Sequence, residues 1–228
     1  MIKIIHTADT HNNLTMEKAE ILKNIDKNLL FDSGDIIKSG NIDFNIFGER
    51  AWKIYNYAGY DAICPGNREY HFFKCGFIAK NRGFNCPIIT SNYIYKYKNK
   101  LTYEYKIFNI NNTKIGVFAL SNINISKDMK IAKIAAQYQD DIIDSAKNVL
   151  KNLDCDFTIA LTHIGLDKDI ILAESVDGID LILGAHSHNK VVEKINNTTI
   201  VHSGVYANSY SEIIIDSANN ICVKHIDL

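Results

Sequence analysis

Asp9 and His11, Asp35, Asn67, His163, and the pair His186 and His188 are all of metal-binding types, and each stands just past a short apolar run. The runs are Ile2 to Thr7, Leu29 to Ser33, Ala62-Ile63, Phe157 to Leu161 and Leu181 to Leu183. Carboxylate, imidazole and amide oxygen together suit borderline divalent ions, Mn first and then Fe or Zn, whereas an all-oxygen Mg or Ca cage would lack the imidazoles. The number of ligand types implies two ions. In Asp9-x-His11 and His186-x-His188, residues i and i+2 of an extended segment point the same way, so both members of each pair can face one site. Singly, each motif has a plain explanation: Asp-x-His is common, Gly34-Asp35 reads as a turn, and Asn67 after Gly66 suits a left-handed residue. Five run ends that each present a ligand are improbable by accident.

The elements that must position these residues follow from periodicity. Strand Ile2 to Thr7, a helix from about Thr15 to Lys27 and strand Leu29 to Ser33 make a β-α-β start. A helix from about Asn45 to Tyr57 leads to Asp61 to Cys64, and a shorter helix, His71 to Lys80, leads to Pro87-Ile88-Ile89. Tyr103 to Ile110 and Lys114 to Leu120 flank Asn111-Asn112 as an antiparallel hairpin. Apolar residues near helical spacing from Ile131 to Leu153 predict the longest helix. A helix from Lys168 to Val176 lies between two strands, and hairpins turn at Asn196-Asn197 and Asn219-Asn220. Strand-helix alternation followed by hairpins in both halves predicts an α/β fold, a four-layer α/β/β/α sandwich of two mixed β-sheets flanked by helices. Ligands beyond the carboxyl ends of such strands converge on one crevice. No linker, charge block or repeat divides residues 1–228, which are expected to form one domain.

Composition narrows the function classes. The 228 residues are 46% hydrophobic and 22% charged, which excludes a disordered chain. A net charge of -1 and three arginines, Arg50, Arg68 and Arg82, supply no basic field, so nucleic acid is not an expected partner. The alternating Tyr and Lys of Tyr93 to Tyr105 read as an exposed edge strand rather than a binding patch. No run approaches the roughly 20 apolar residues that span a bilayer, so no membrane association is expected. Five cysteines without a C-x-x-C pair read as reduced thiols, and the broken apolar run at MIKIIHTADT as no export signal. Both give the expectation of a cytoplasmic protein. His6, His202 and His225 lie within apolar runs and read as core or supporting residues. Trp52, Tyr55 and Tyr57 read as helix packing.

Asp9-x-His11, Gly34-Asp35, Gly66-Asn67-x-Glu69, Thr162-His163 and Gly184-x-His186-Ser187-His188 together resemble the ordered signature of calcineurin-like metallophosphoesterases. Gly59-Tyr60-Asp61-Ala62, Cys86-Pro87-Ile88, Lys114 to Val117 and Gly178 to Ile182 resemble the catalytic domain of bacterial 5'-nucleotidases and UDP-sugar hydrolases. The resemblance covers nearly the whole chain. It implies a dinuclear phosphohydrolase cleaving a small phosphate ester, a nucleotide-like monoester first, by attack of a metal-bridging hydroxide. It further implies that Asp9, His11, Asp35 and His188 hold one ion, and Asp35 as bridge, Asn67, His163 and His186 the other. A phosphodiesterase of the same fold is one alternative, and a non-catalytic metal- and phosphate-binding module is another. The nucleoside-binding C-terminal domain of the two-domain nucleotidases has no counterpart in these residues, so a partner chain could supply specificity.

One departure from the family pattern touches the chemistry. Where Gly-Asn-His-Glu is the rule, this chain has Arg68, and the Asp that orients that His is replaced by His71. A guanidinium stays charged and can stabilise phosphoryl charge but cannot act as a general acid. The expected catalytic residues are therefore Asp35, Arg68 as an electrostatic group, and His71 as an alternative proton donor.

Overall fold

The computed structural model describes residues 1–40, 43–95, 101–122, 128, 130 and 137–228. Seven strands form the first sheet, in the order β15 (Ile221–Asp227), β14 (Ser209–Ile215), β1 (Ile2–Thr7), β2 (Leu29–Asp32), β3 (Ala62–Ile63), β4 (Ile88–Ile89) and β6 (Thr102–Tyr103). Six form the second: β12 (Lys190–Ile195), β13 (Thr198–Ser203), β11 (Leu181–Gly184), β10 (Phe157–His163), β8 (Thr113–Ser121) and β7 (Tyr105–Ile110). Both are mixed. β1, β2, β3, β4 and β6 run parallel in the first, and β8, β10, β11 and β13 in the second. A small third sheet pairs β5 (Tyr93–Tyr95) with β9 (Gln137–Gln139).

The apolar runs read as continuous because each central strand is buried on both faces. Side chains alternate, so Ile4, Phe31, Val117, Ile159, Leu161 and Leu183 fill the layer between the sheets. Their neighbours Ile5 and Leu30 point outward onto α1 (Met16–Asn24) and α2 (Ala51–Ala58), meeting Leu22, Ile54 and Tyr55. On the other side Phe118, Ala160 and Ile182 meet Val149 of α4 (Ile142–Leu150) and Leu172 of α5 (Leu166–Ser175). This is the α/β/β/α sandwich with three apolar layers. Asn111 and Asn112, both at positive φ, turn β7 into β8, as a type I′ hairpin needs. Among the described residues no helix is long and apolar enough to cross a membrane.

Three helix expectations are corrected. The stretch Ile131 to Leu153 is not one helix: Gln137–Gln139 is strand β9, the helix begins at Ile142 with Asp141 accepting from the Asp144 amide, and 131–136 lie outside the described residues. The helix expected from Asn45 starts at Ala51, because the Asn45 side chain accepts from the Phe47 amide and Gly48 takes φ +100, a local turn that competes with helix. The helix expected from His71 is α3 (Lys74–Asn81), because His71 Nδ1 accepts from the Phe73 amide at 2.9 Å.

Leu161 is wholly buried between the sheets, and Leu161→Ala is expected to cost about 2–5 kcal/mol, read as a lowered urea midpoint at unchanged slope.

Candidate metal centre

The carboxyl ends of the parallel strands of both sheets meet at one edge, and there the chain turns sharply. Asp9, His11, Asp35, His186 and His188 all have positive φ, between 46° and 81°. Residues other than glycine rarely sit there, and such clusters mark functional sites. Hydrogen bonds hold the turns: the Asp9 amide donates to Gly34 O, the His11 amide to Asp35 O and the His186 amide to the Asp9 side-chain Oδ2, each at 2.9 Å. The loops after β2 and β3 nearly touch, since a Cβ at Gly66 would collide with the Asp35 amide. Gly184 is equally constrained, lying under the buried pair in which His202 Nε2 donates to Asp169 Oδ2 at 2.8 Å.

Seven side chains converge in two overlapping groups. In one, His163 Nε2 and His186 Nδ1 lie 3.2 and 3.1 Å from Asn67 Oδ1, 3.2 Å from each other, and His163 Nε2 lies 3.4 Å from Asp35 Oδ1. In the other, His11 Nε2 and His188 Nε2 are 3.3 Å apart, with Asp9 Oδ1 3.7 Å from His188 Nε2. One atom each of Asp9, His11 and His188, and one each of Asp9, Asp35 and His163, lie within 4.8 Å of one another, close enough to share a cation.

Tautomers decide what these short distances mean. His163 Nδ1 lies 2.8 Å from the carbonyl of Ser33, which can only accept, so Nδ1 carries the proton. Burial lowers the pKa of this imidazole, so it is neutral and its Nε2 presents a bare lone pair to Asn67, His186 and Asp35. Burial likewise drives His11 down to about 4. Asp9 Oδ1 is buried with no hydrogen-bond partner. Lone pairs facing lone pairs repel unless a cation lies among them, so the donor set fits divalent metal ions with mixed imidazole and oxygen preference. Burial, and then the Asp35 carboxylate, pushes the Asp9 carboxyl up to about 8.

A second layer fixes this geometry. Glu69 lies beneath the site, accepting from the amides of Gly66, Asp35, Ile36 and Ile37 at 2.7 to 3.0 Å. Asp32 accepts from Thr7 Oγ1, Tyr55 OH and the Gly34 amide. A directional chain ties the sheets together. Ser33 Oγ donates to Leu183 O, so His6 Nε2 must donate to Ser33 Oγ, and His6 Nδ1, neutral because burial lowers it to about 3, accepts from Ser203 Oγ.

The structure thus brings together Asp9, His11, Asp35, Asn67, His163, His186 and His188, and places Arg68 beside them. Arg68 donates its amide to Asp35 Oδ1 at 2.9 Å, holds Nε 3.4 Å from Asp35 Oδ2, and donates from Nη1 to Lys38 O at 2.7 Å. A cavity of about 310 Å³ is lined by His11, Asp35, Lys38, Asn67, Arg68, His186, His188 and Tyr206. His71 does not line it. Its ring packs edge-on against Phe44, with centroids 5.2 Å apart, at the start of α3. His6 and His202 are buried supports, and His225 Nδ1 shares a hydrogen bond with Ser211 Oγ that links β15 to β14. Sequence reasoning missed Lys38 and Tyr206. Tyr206 carries no motif signal; its φ of +62 and its amide bond to Asp9 O bring the ring within 5.6 Å of His11.

Comparison with known proteins places this geometry. Residues 2–190 match the calcineurin-like phosphoesterase family. The trifunctional nucleotide phosphoesterase YfkN of Bacillus subtilis is 28% identical across 86% of this chain and 16% of its own length. The NAD 5'-nucleotidase of Haemophilus influenzae is 27% identical across 70% of this chain and 27% of its own. The chain therefore spans well under half of either relative. The structure of a 5'-nucleotidase precursor from Thermus thermophilus superposes with a TM-score of 0.80 at 17% identity, covering 98% of this chain and 53% of that one, a likeness of fold.

The raised Asp9 carboxyl makes metal uptake pH-dependent. Below about pH 8 the metal-free group keeps its proton, which a cation must displace, whereas His11, at about 4, is already bare. Affinity for Mn is expected to rise between about pH 6 and 8, with proton release measurable by calorimetry in buffers of different ionisation enthalpy. A flat affinity without proton release would contradict this.

Proposed function

The chain belongs to the calcineurin-like phosphoesterase family, and from that premise we propose that it is a metal-dependent hydrolase of small phosphate esters, nucleotide-like monoesters first among them. The observation that carries this reading is the pair of overlapping ligand clusters whose His11, Asp35, Asn67, His186 and His188 line a 310 Å³ cavity together with Arg68 and Lys38. In this reading Asp9, His11, Asp35 and His188 would hold one ion, and Asn67, His163 and His186, with Asp35, would hold the other. Two such ions, when bound, polarise phosphoryl oxygens and lower the pKa of water. Mn suits the mixed donors best, with Fe or Zn next. Because both sheets contribute ligands, residues 1–228 act as one catalytic domain.

The remaining work falls to the chain's own side chains. Arg68 and Lys38 place two positive charges where negative charge develops on the phosphoryl oxygens. Neither the Arg68 guanidinium nor any His71 contact with the cavity wall offers a proton to the leaving oxygen. The leaving oxygen therefore lacks the imidazole donor of the family pattern, and good leaving groups are favoured. A cavity of this volume is at the small end of ligand sites and admits the phosphate with a modest substituent.

Metal-stripped protein resupplied with Mn, Fe, Zn or Mg is expected to hydrolyse 4-nitrophenyl phosphate, with bis-(4-nitrophenyl) phosphate reporting any diester activity. Asp35→Asn should lower the rate by more than about a hundredfold. Binding of metal and inorganic phosphate without turnover would instead identify a non-catalytic binding module. Across nitrophenyl to alkyl phosphates the rate should fall steeply as leaving-group pKa rises, and Arg68→His should flatten that slope. A flat dependence in the unaltered protein would show that a general acid is present.

A further inference from the structure

Lys80 lies on α3 with none of its surface exposed. Its ammonium donates to Gly40 O at 2.5 Å, Arg68 O at 2.8 Å and Tyr70 O at 3.1 Å. An ammonium has three N–H groups, and here each is taken by a backbone carbonyl, with no carboxylate in hydrogen-bond contact among the described residues. Burying a charge this way is unfavourable, and burial pulls the group down to about 8 while Glu69, Glu49, Asp43 and Asp35 pull it back up. A methionine would fill similar space without that cost, so the cation calls for an explanation in what it holds.

It holds the two loops that form one wall of the cavity. Gly40 follows Lys38 by two residues, and Arg68 and Tyr70 flank Glu69. The neighbouring Asn81 Nδ2 donates to Glu69 O at 2.9 Å, so three consecutive carbonyls, of Arg68, Glu69 and Tyr70, are captured by the last turn of α3. Trp52 Nε1 donates to Lys80 O at 2.7 Å and ties that turn to α2. Arg68 is thereby gripped from both sides, its amide on Asp35 and its carbonyl on Lys80, while Nη1 reaches Lys38 O on the same bridged loop. A guanidinium on a flexible stem contributes to transition-state binding only if its geometry is set beforehand.

We propose that Lys80 is a positioning residue for Arg68, an internal cation that locks the 38–40 and 68–70 loops so that the guanidinium is preset toward the phosphoryl group. This deepens the reading of Arg68 given above and rests on it. Two measurements test it. The first is a double-mutant cycle on metal-loaded protein with 4-nitrophenyl phosphate. Arg68→Ala and Lys80→Met should each lower kcat by about tenfold or more, and Lys80→Met should change it by less than about twofold once Arg68 is gone. Mn bound per chain should stay the same in Lys80→Met.

The second needs no activity. With only three arginines in the chain, the side-chain Nε–H of Arg68 is resolvable by 15N relaxation in the metal-free protein. Its order parameter should fall in Lys80→Met while that of Arg50 does not. Should Lys80→Met fail to fold, Lys80→Gln, which keeps an N–H donor, takes its place in both measurements with smaller changes in the same direction. Additive losses in the cycle, or an unchanged Arg68 order parameter, would overturn the proposal and leave Lys80 a packing residue. Arg68→Ala without effect would instead overturn the role of Arg68 itself, and the single variant reports that separately.

Discussion

Electron-pair donors that face one another at little more than 3 Å, as His163 Nε2 and Asn67 Oδ1 do, cannot be left to local preference, because their repulsion and the backbone strain of the site both oppose folding. Asp9, His11, Asp35, His186 and His188 reach their places only through left-handed backbone, which costs a residue other than glycine about 1–2 kcal/mol. Five such residues together approach the whole net stability of an ordinary domain. The three apolar layers offset this strain, and the site stands at the one edge where both sheets end.

The same constraint explains the polar groups buried under the site. Ser33 serves both sheets: its carbonyl accepts from His163, and its hydroxyl donates to Leu183 O. The proton order is thereby imposed from outside the metal centre. His163 must point a lone pair inward, and His6 must carry its proton on Nε2. Supporting hydrogen bonds of this kind set ligand orientation and basicity as firmly as the ligands themselves. The buried pair of His202 and Asp169 does comparable work at Gly184, the residue from which the chain turns toward His186 and His188.

Charge follows the same arrangement. Glu69 gathers amides from both loops beneath Asp35, so the carboxyl group under the candidate ligands is one that holds backbone rather than one that solvates freely. The positive groups Arg68 and Lys38 stand on the cavity side of those loops. An imidazole in place of Arg68 would be rigid and able to donate a proton; the guanidinium is long, permanently charged and tied to Asp35 and Lys38 O. In the proposed reading the site works as an electrostatic clamp more than as an acid catalyst.

The order of strands and the ligand types at their ends were legible in the chain itself. The short apolar runs and the Asn-Asn turns are local, and they fold locally as they read. Asp9 and His11, or His186 and His188, are each visible as pairs for the same reason. What sequence spacing could not show depends on residues far apart. Gln137–Gln139 carries helix-like spacing yet pairs with Tyr93–Tyr95, more than forty residues earlier, because a strand partner across the fold outweighs weak local propensity. Lys38 and Tyr206 come from segments without a motif, and only the approach of the loops after β2 and β13 puts them on one cavity. His71 lies three residues from Arg68 in sequence, yet its ring turns away to accept from the Phe73 amide and meet Phe44. Local periodicity determined which residues could serve; the packing of two sheets face to face decided which of them meet, because side-chain direction at a sharp turn is set by tertiary contacts rather than by spacing.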